Sequence, residues 1–328
     1  MVQGSGSYRL SNALEDFAVR ARTAPRTSRI DVETAAILDA CAAVGVEPLV
    51  LKGVALVRTL YRSDETRGYF DIDLLVAPDD LPAVERVLEH RGYRNSAELL
   101  GVDDIGGYLH ADTWSRYVPD FGNLTVDVHR RLDGCEAPPE VVWRALSAGA
   151  SRIDVGGRRV RALNRPGLAL HLALHTAQHG PDDLKAIADL KRGLERWPPG
   201  IWRGAARLAG DLQATEAFAA GLWLAQGGDE LARRLGLPSP DARLREIANR
   251  SARPRGTFHL RAFADARSVT ERIDVVRRSL LPKRAWIVRE HSWAAASRHR
   301  LMAAYCVHIL RAPAWAWRVW RFRRRTHP

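Results

Sequence analysis

The spacing of apolar residues changes character once along the chain. Up to about residue 163, short apolar runs alternate with helix-like segments; from Asn164 onward apolar residues recur only at helical intervals. "DVETAAILDACAAV" (31–44) has helical spacing, with Asp31 placed to cap it. "EPLVLKG" (47–53) reads as a short buried strand halted at Gly53, and "VALVRTLY" (54–61) as the helix it feeds. "RSDETRG" (62–68) is a polar loop, and "YFDIDLLV" (69–76) a second strand. "PDDLPAVERVLEHRGY" (78–93) predicts a helix opened by acids and a proline and closed by Gly92. "TWSRYVPDFGNLTVDVHR" (113–130) predicts two strands joined near Phe121-Gly122-Asn123. A helix through 137–149 and a hairpin over 151–163, turning at Gly156-Gly157, complete this part.

"NRPGLALHLALHTAQHG" (164–180) opens with a capping residue and an early proline and stays helical to Gly180. Helical periodicity continues over roughly 183–196, 201–209, 211–226, 241–251, 268–279 and 285–322. The prediction is an α+β chain. A helical extension covers 1–30, a small mixed sheet with flanking helices covers 31–163, and an all-helical domain with a Trp/Arg-rich tail covers 164–328.

Composition changes this picture little. At 328 residues the chain is long enough for two domains with a sizeable core. The first thirty residues lack a long apolar run, and no segment approaches the eighteen apolar residues of a membrane span. Cys41, Cys135 and Cys306 fit neither a disulfide framework nor a zinc motif, so a reducing cytoplasm is the expected location. The formal charge of +12 is uneven: residues 281–328 hold eleven Lys/Arg and one acid, Glu290. The tail therefore carries +10, and the remainder is close to neutral. Three readings fit this tail: a packed terminal helix with a charged outer face, peripheral contact with a membrane surface, or a nucleic-acid contact such as tRNA.

Candidate chemistry sits in the two-residue alternation of the strands. Asp71 and Asp73 share one face of 69–76, roughly 6–7 Å apart, while Ile72 and Leu74 point to the core. Two adjacent ionised carboxylates repel, and burying them unpaired is costly. A divalent cation resolves the conflict, and Mg²⁺ favours one or two carboxylates plus phosphate oxygens. Asp127, between Val126 and Val128, repeats the pattern on another strand. Three such acids in one groove would hold two metals about 3.5–4 Å apart, the arrangement for in-line phosphoryl transfer. The plain alternative is an exposed edge strand with its acids in water. Before these acids, Lys52 and Gly53 lead a strand into a helix, whose unpaired N–H groups favour phosphate.

Taken in order, these motifs resemble the nucleotidyltransferase superfamily that includes DNA polymerase β. The closer resemblance is to the bacterial uncharacterised nucleotidyltransferase family. Its pattern is matched here by "LKGVAL" (51–56), "RGYFDIDLLV" (67–76), "VDVHR" (126–130), "LHLALHTAQHG" (170–180) and "LKAIADL" (184–190). Lys52-Gly53 stands where the superfamily has Gly-Ser, and Arg130 where the family often has tryptophan. The resemblance implies a polymerase β-like fold and an enzyme using Mg²⁺ (or Mn²⁺) with NTP as co-substrate. It implies Asp71, Asp73 and Asp127 as catalytic and metal-holding acids, and Lys52, Gly53, Arg67 and Lys185 as nucleotide- and phosphate-binding residues. His129 lies on the face of Asp127, where touching nucleotide, orienting an acid and simple packing are the alternatives. His171, His175 and His179 form an i, i+4, i+8 stripe. H-x-x-x-H spacing suits zinc, but no H-E-x-x-H or thiol partner accompanies it; the stripe is expected to face the cleft or the core, with His175 the cleft candidate. The expected reaction moves NMP from NTP to a hydroxyl, phosphate or amine of a small molecule, peptide or protein. The alternatives are a toxin-like enzyme acting on tRNA and a non-catalytic nucleotide-binding protein.

Overall fold

The structure is a computed structural model, and the residues it describes are 27–96, 110–119, 121–239, 259, 262–263, 266 and 268–326. Seven strands form one mixed sheet: β1 (Leu49–Val50), β2 (Asp71–Leu75), β3 (Arg94–Asn95), β4 (Ala111–Val118), β5 (Gly122–His129), β6 (Ser151–Val155) and β7 (Arg158–Ala162). Their spatial order is β3-β4-β5-β2-β1-β7-β6. The central pair, β2 and β5, is parallel; β4 pairs antiparallel with β5, and β1 pairs antiparallel with β2 and parallel with β7. Apolar residues at alternate positions, Ile72 and Leu74 on β2 and Leu124, Val126 and Val128 on β5, are all buried.

Helices α1 (27–43), α2 (Lys52–Leu60), α3 (Leu81–His90) and α4 (Pro139–Ser147) flank the sheet. Helices α5 (Arg165–His179), α6 (Leu184–Arg196), α7 (Pro199–Asp211), α8 (Thr215–Trp223) and α9 (Gly228–Arg234) follow it. One continuous core joins the two parts, running from Ile30 through the sheet to Ala232. α5 is its axis, buried from Gly167 to Leu174 on every side, which accounts for its lack of a polar face. α5 and α8 cross closely: a methyl group on Gly221 would lie 1.9 Å from the Ala173 carbonyl oxygen.

Several elements depart from expectation. The strand foreseen over 47–53 shrinks to two residues, Leu49–Val50, and the chain kinks at Gly53 before the regular turns of α2. Gly53 interrupts that helix with φ 35° and ψ −106°, a conformation open in practice to glycine alone. The helix foreseen over 211–226 breaks at Gln213, whose φ is 52°, so that α7 ends and α8 begins around it. The single helix foreseen over 285–322 is split into α11 (Arg284–Glu290), a 3₁₀ turn (Ser292–Ala296) and α12 (Arg298–Thr326), after α10 (Val269–Leu280). The split turns His291 and Ala294 inward, where Ala294 joins Ile287 and Ala304 in a small second core. The helix expected at 241–251, and the extension at 1–30 except its last four residues, lie outside the described residues.

The tail helix is half docked. Ala304 and His308 are buried, and the His308 Nε2–H donates to the Ser279 carbonyl at 3.0 Å. Met302, Leu310, Trp317 and Trp320 remain exposed, with the Arg321 guanidinium 5.2 Å from the Trp317 ring centre. Among the described residues no helix is long and apolar enough to cross a membrane.

Candidate active site

The parallel register of β2 and β5 sets Asp71 opposite Thr125, Asp73 opposite Asp127 and Leu75 opposite His129. Because alternate side chains share a face, the three acids and His129 lie on one side of the sheet and the valines on the other. Asp73 is only 3% exposed. Its Oδ1 receives two partners, Lys52 Nζ at 3.0 Å and His129 Nε2 at 3.0 Å. Its Oδ2 is buried and has no hydrogen-bond partner. Asp127 Oδ1 accepts a hydrogen bond of 2.7 Å from the Thr113 hydroxyl, across the β4–β5 ladder.

Burial pushes the Asp73 carboxyl up, but the Lys52 ammonium and the His129 hydrogen bond outweigh it, and the acid stays ionised well below the usual carboxylate range. Asp71 shifts the other way: burial raises it, and the neighbouring Asp73 charge raises it further. Lys52 is also held above its usual value, because Asp73, Asp71 and Asp127 together exceed the cost of its burial. The charges are therefore arranged around Lys52, with three acids at its end.

Asp73, Asp127 and His129 bring donor atoms within 4.8 Å of one another. Asp71, although on the same face, is outside that set. The orphaned Asp73 Oδ2 and the Asp127 carboxylate are hard oxygen donors and fit a divalent cation of the magnesium class. His129, by contrast, already spends Nε2 on Asp73, which makes it an orienting partner of that acid.

Arg67 does not stand free in the cleft. Its Nε lies 2.9 and 3.0 Å from the two carboxylate oxygens of Asp189 on α6, and its Nη2 lies 2.6 Å from Oδ2. The Tyr61 hydroxyl donates to the same carboxylate, and burial followed by the Asp189 contact pushes that phenol up to about 12. Arg67 Nη1 remains buried without a hydrogen-bond partner. Lys185 on α6 places Nζ 5.7 Å from the Phe70 ring centre. Burial and the nearby Arg67 charge lower its pKa, with Asp189 and Asp71 opposing.

His175 lines a crevice with Lys52, Leu56, Leu168, His171 and Leu172. Burial, then the Lys52 charge, hold His171 down to about 3 and His175 well below the usual imidazole range. The ring of His110 stands 5.5 Å from that of His129 and is held down to about 4, chiefly by burial. Sequence reasoning missed Thr113, Tyr61, Asp189 as the partner of Arg67, and Asp183, which pairs with His179 at 3.2 Å. A signal for Asp189 did exist, as the acid closing "LKAIADL".

The chain was compared with known proteins. No curated protein matches it. Among solved structures it is similar to the crystal structure of ANT(2″)-Ia in complex with adenylyl-2″-tobramycin, at 17% identity over 53% of this chain and 93% of that one, TM-score 0.36. It is similar to the solution structure of ANT(2″)-Ia at 16% identity over 58% of this chain and 96% of that one, TM-score 0.39. A third is an antigenic nucleotidyltransferase-like protein from Paracoccidioides brasiliensis, at 13% identity over 58% of this chain and 94% of that one, TM-score 0.36. The family model described as uncharacterised nucleotidyltransferase matches residues 8–227, well over half of the chain, and the chain belongs to that family.

Proposed function

We propose that this chain transfers an NMP group from an NTP to a hydroxyl, phosphate or amine of a small molecule, peptide or protein, with pyrophosphate as the second product. The observation that carries this reading is the in-register pair Asp73–Asp127, with Asp71 on the same face and Lys52 at its centre. A new bond forms between the acceptor atom and the α-phosphorus, and the bond from that phosphorus to the bridging oxygen of the β-phosphate breaks. In this reading Asp127 takes the proton that the acceptor loses.

Asp73 and Asp127 would hold Mg²⁺ or Mn²⁺, with Asp71 beside them. When bound, such an ion supplies positive charge to phosphate oxygens. The remaining roles belong to this chain's own groups. Lys52, the backbone at Gly53, the unpartnered Arg67 Nη1 and Lys185 form a cationic rim for the triphosphate. His129 fixes the orientation of Asp73 through its 3.0 Å bond.

The test is incubation with each α-labelled NTP, Mg²⁺ or Mn²⁺, and a cell extract or a set of acceptors. Label transfer is expected from the native chain and lost in the double variant Asp71→Asn/Asp73→Asn. Transfer surviving in that variant rejects the assignment of these acids.

A further inference from the structure

A second cluster of metal-ligating side chains lies at the far end of α5. His175 and His179 occupy successive turns of that helix. Gly180, at φ 78°, stops the helix and turns the chain back. Asp183 then caps α6: its Oδ1 accepts the Ala186 N–H at 2.9 Å. Its other oxygen, Oδ2, lies 3.2 Å from His179 Nδ1. His175 Nδ1 is buried and has no hydrogen-bond partner, and the His175 and His179 rings stand 4.3 Å apart. One donor atom from each of the three residues lies within 4.8 Å of the others.

We propose that His175, His179 and Asp183 form a zinc-class transition-metal site, separate from the Asp73–Asp127 pair. The donor set argues for the metal. Two imidazole nitrogens and one carboxylate oxygen suit zinc, whereas magnesium takes oxygen donors almost alone. Zinc bonds of about 2.0–2.1 Å at tetrahedral angles put neighbouring donors about 3.3–3.4 Å apart, and the His179–Asp183 separation of 3.2 Å is close to that edge. Neutral imidazole is the ligating form, and the buried His175 Nδ1 has no hydrogen-bond partner to give up. Asp183 keeps its helix cap on joining, since the cap uses Oδ1, and exchanges the Oδ2 contact with His179 for the metal bond. Three protein donors leave a fourth position open to water or another ligand.

The site has a structural consequence. It ties the end of α5 to the first turn of α6, the segment that carries Lys185 and, one turn further, the Arg67 anchor Asp189. A metal there fixes the corner from which both residues project.

The test uses the full chain, stripped with EDTA and dialysed, then titrated with zinc alone by calorimetry and followed by elemental analysis. The result expected is one equivalent of zinc, unchanged in Asp73→Asn/Asp127→Asn. His179→Gln and Asp183→Asn should weaken it by more than the ~10–100-fold that loss of an outer-shell partner costs. Asparagine at 183 can still cap α6, and far-UV circular dichroism checks that each variant is folded. Substitution with Co²⁺ should give the visible absorption of a four-coordinate ion in the native chain and lose it in His179→Gln. The proposal is overturned if the native chain takes up no zinc. It is equally overturned if uptake persists unchanged in both folded variants, or if uptake is lost only in the Asp73/Asp127 variant.

Discussion

Asp73 and Asp127 stand opposite each other on adjacent parallel strands, and a single oxygen of Asp73 takes both Lys52 and His129. This concentrates three acids and one lysine on one face of the β2–β5 pair, beside the buried Leu75. The Asp127→Asn variant is the cleaner probe of the pair. An amide oxygen still accepts the Thr113 hydrogen bond, and the Lys52–Asp73 contact is untouched. Removing one preorganised charge from the site is expected to lower transfer by about 10²–10³-fold, with the urea midpoint unchanged within error. A variant that retains full transfer would remove Asp127 from the chemistry.

The Arg67–Asp189 pair joins the sheet region to α6, with side chains only 9% and 3% exposed. Asp189→Asn leaves a buried guanidinium without its counter-charge, and a loss of about 3–5 kcal/mol is expected in chemical denaturation. The double change Arg67→Met/Asp189→Leu should recover most of that stability while leaving activity impaired. Activity and stability falling and recovering together would mean that Arg67 serves the fold alone.

Stability is expected to drop on mild acidification. His171 titrates near 3 and His110 near 4 in the folded chain, against about 6.5 when unfolded. Between about pH 6.5 and those folded values, the unfolded state holds protons that the folded state refuses, so folding stability falls as pH falls. Each group contributes about 1.4 kcal/mol per pH unit within that window. Denaturation curves at pH 7, 6 and 5 should show this slope, and His171→Gln should reduce it by one group's share. An unchanged slope would place the proton uptake elsewhere.

Gly53→Ala forces an L side chain into φ 35°. The space is not the obstacle, since a methyl there meets Tyr69 Cβ at an ordinary 3.5 Å. The backbone conformation is, at a cost of about 1–3 kcal/mol. The strain falls beside Lys52, so transfer is expected to fall more than global stability does, measured as kcat/KM against the denaturation midpoint.

The strand face carrying Asp71, Asp73 and Asp127 was legible because alternation in β2 and β5 is local and strict. The histidine stripe and its helix were legible for the same reason, since the 3.6-residue period of α5 is uninterrupted. What escaped depends on distant pairings. Arg67 and Asp189 are 122 residues apart, and Tyr61 and Asp189 128; no periodicity relates them. Arg67 grips Asp189 with a planar fork of several N–H donors, a fit that depends on tertiary packing and leaves no mark in local spacing. The kink at the start of α2 escaped because it turns on one backbone angle at Gly53. The split of 285–322 escaped because it goes with the packing of Ala294 against Ile287 and Ala304, a tertiary contact that helical periodicity does not show.

Lys52 gives the resting chain a resident counter-ion. With an ammonium 3.0 Å from the most buried of the three sheet acids, the fold does not depend on a dissolved ion to neutralise that carboxylate. Prolonged chelation should therefore leave this part of the sheet intact, and a thermal melt in excess EDTA should show no early transition from it. An added cation would have to compete with this one flexible side chain for the Asp73 carboxylate.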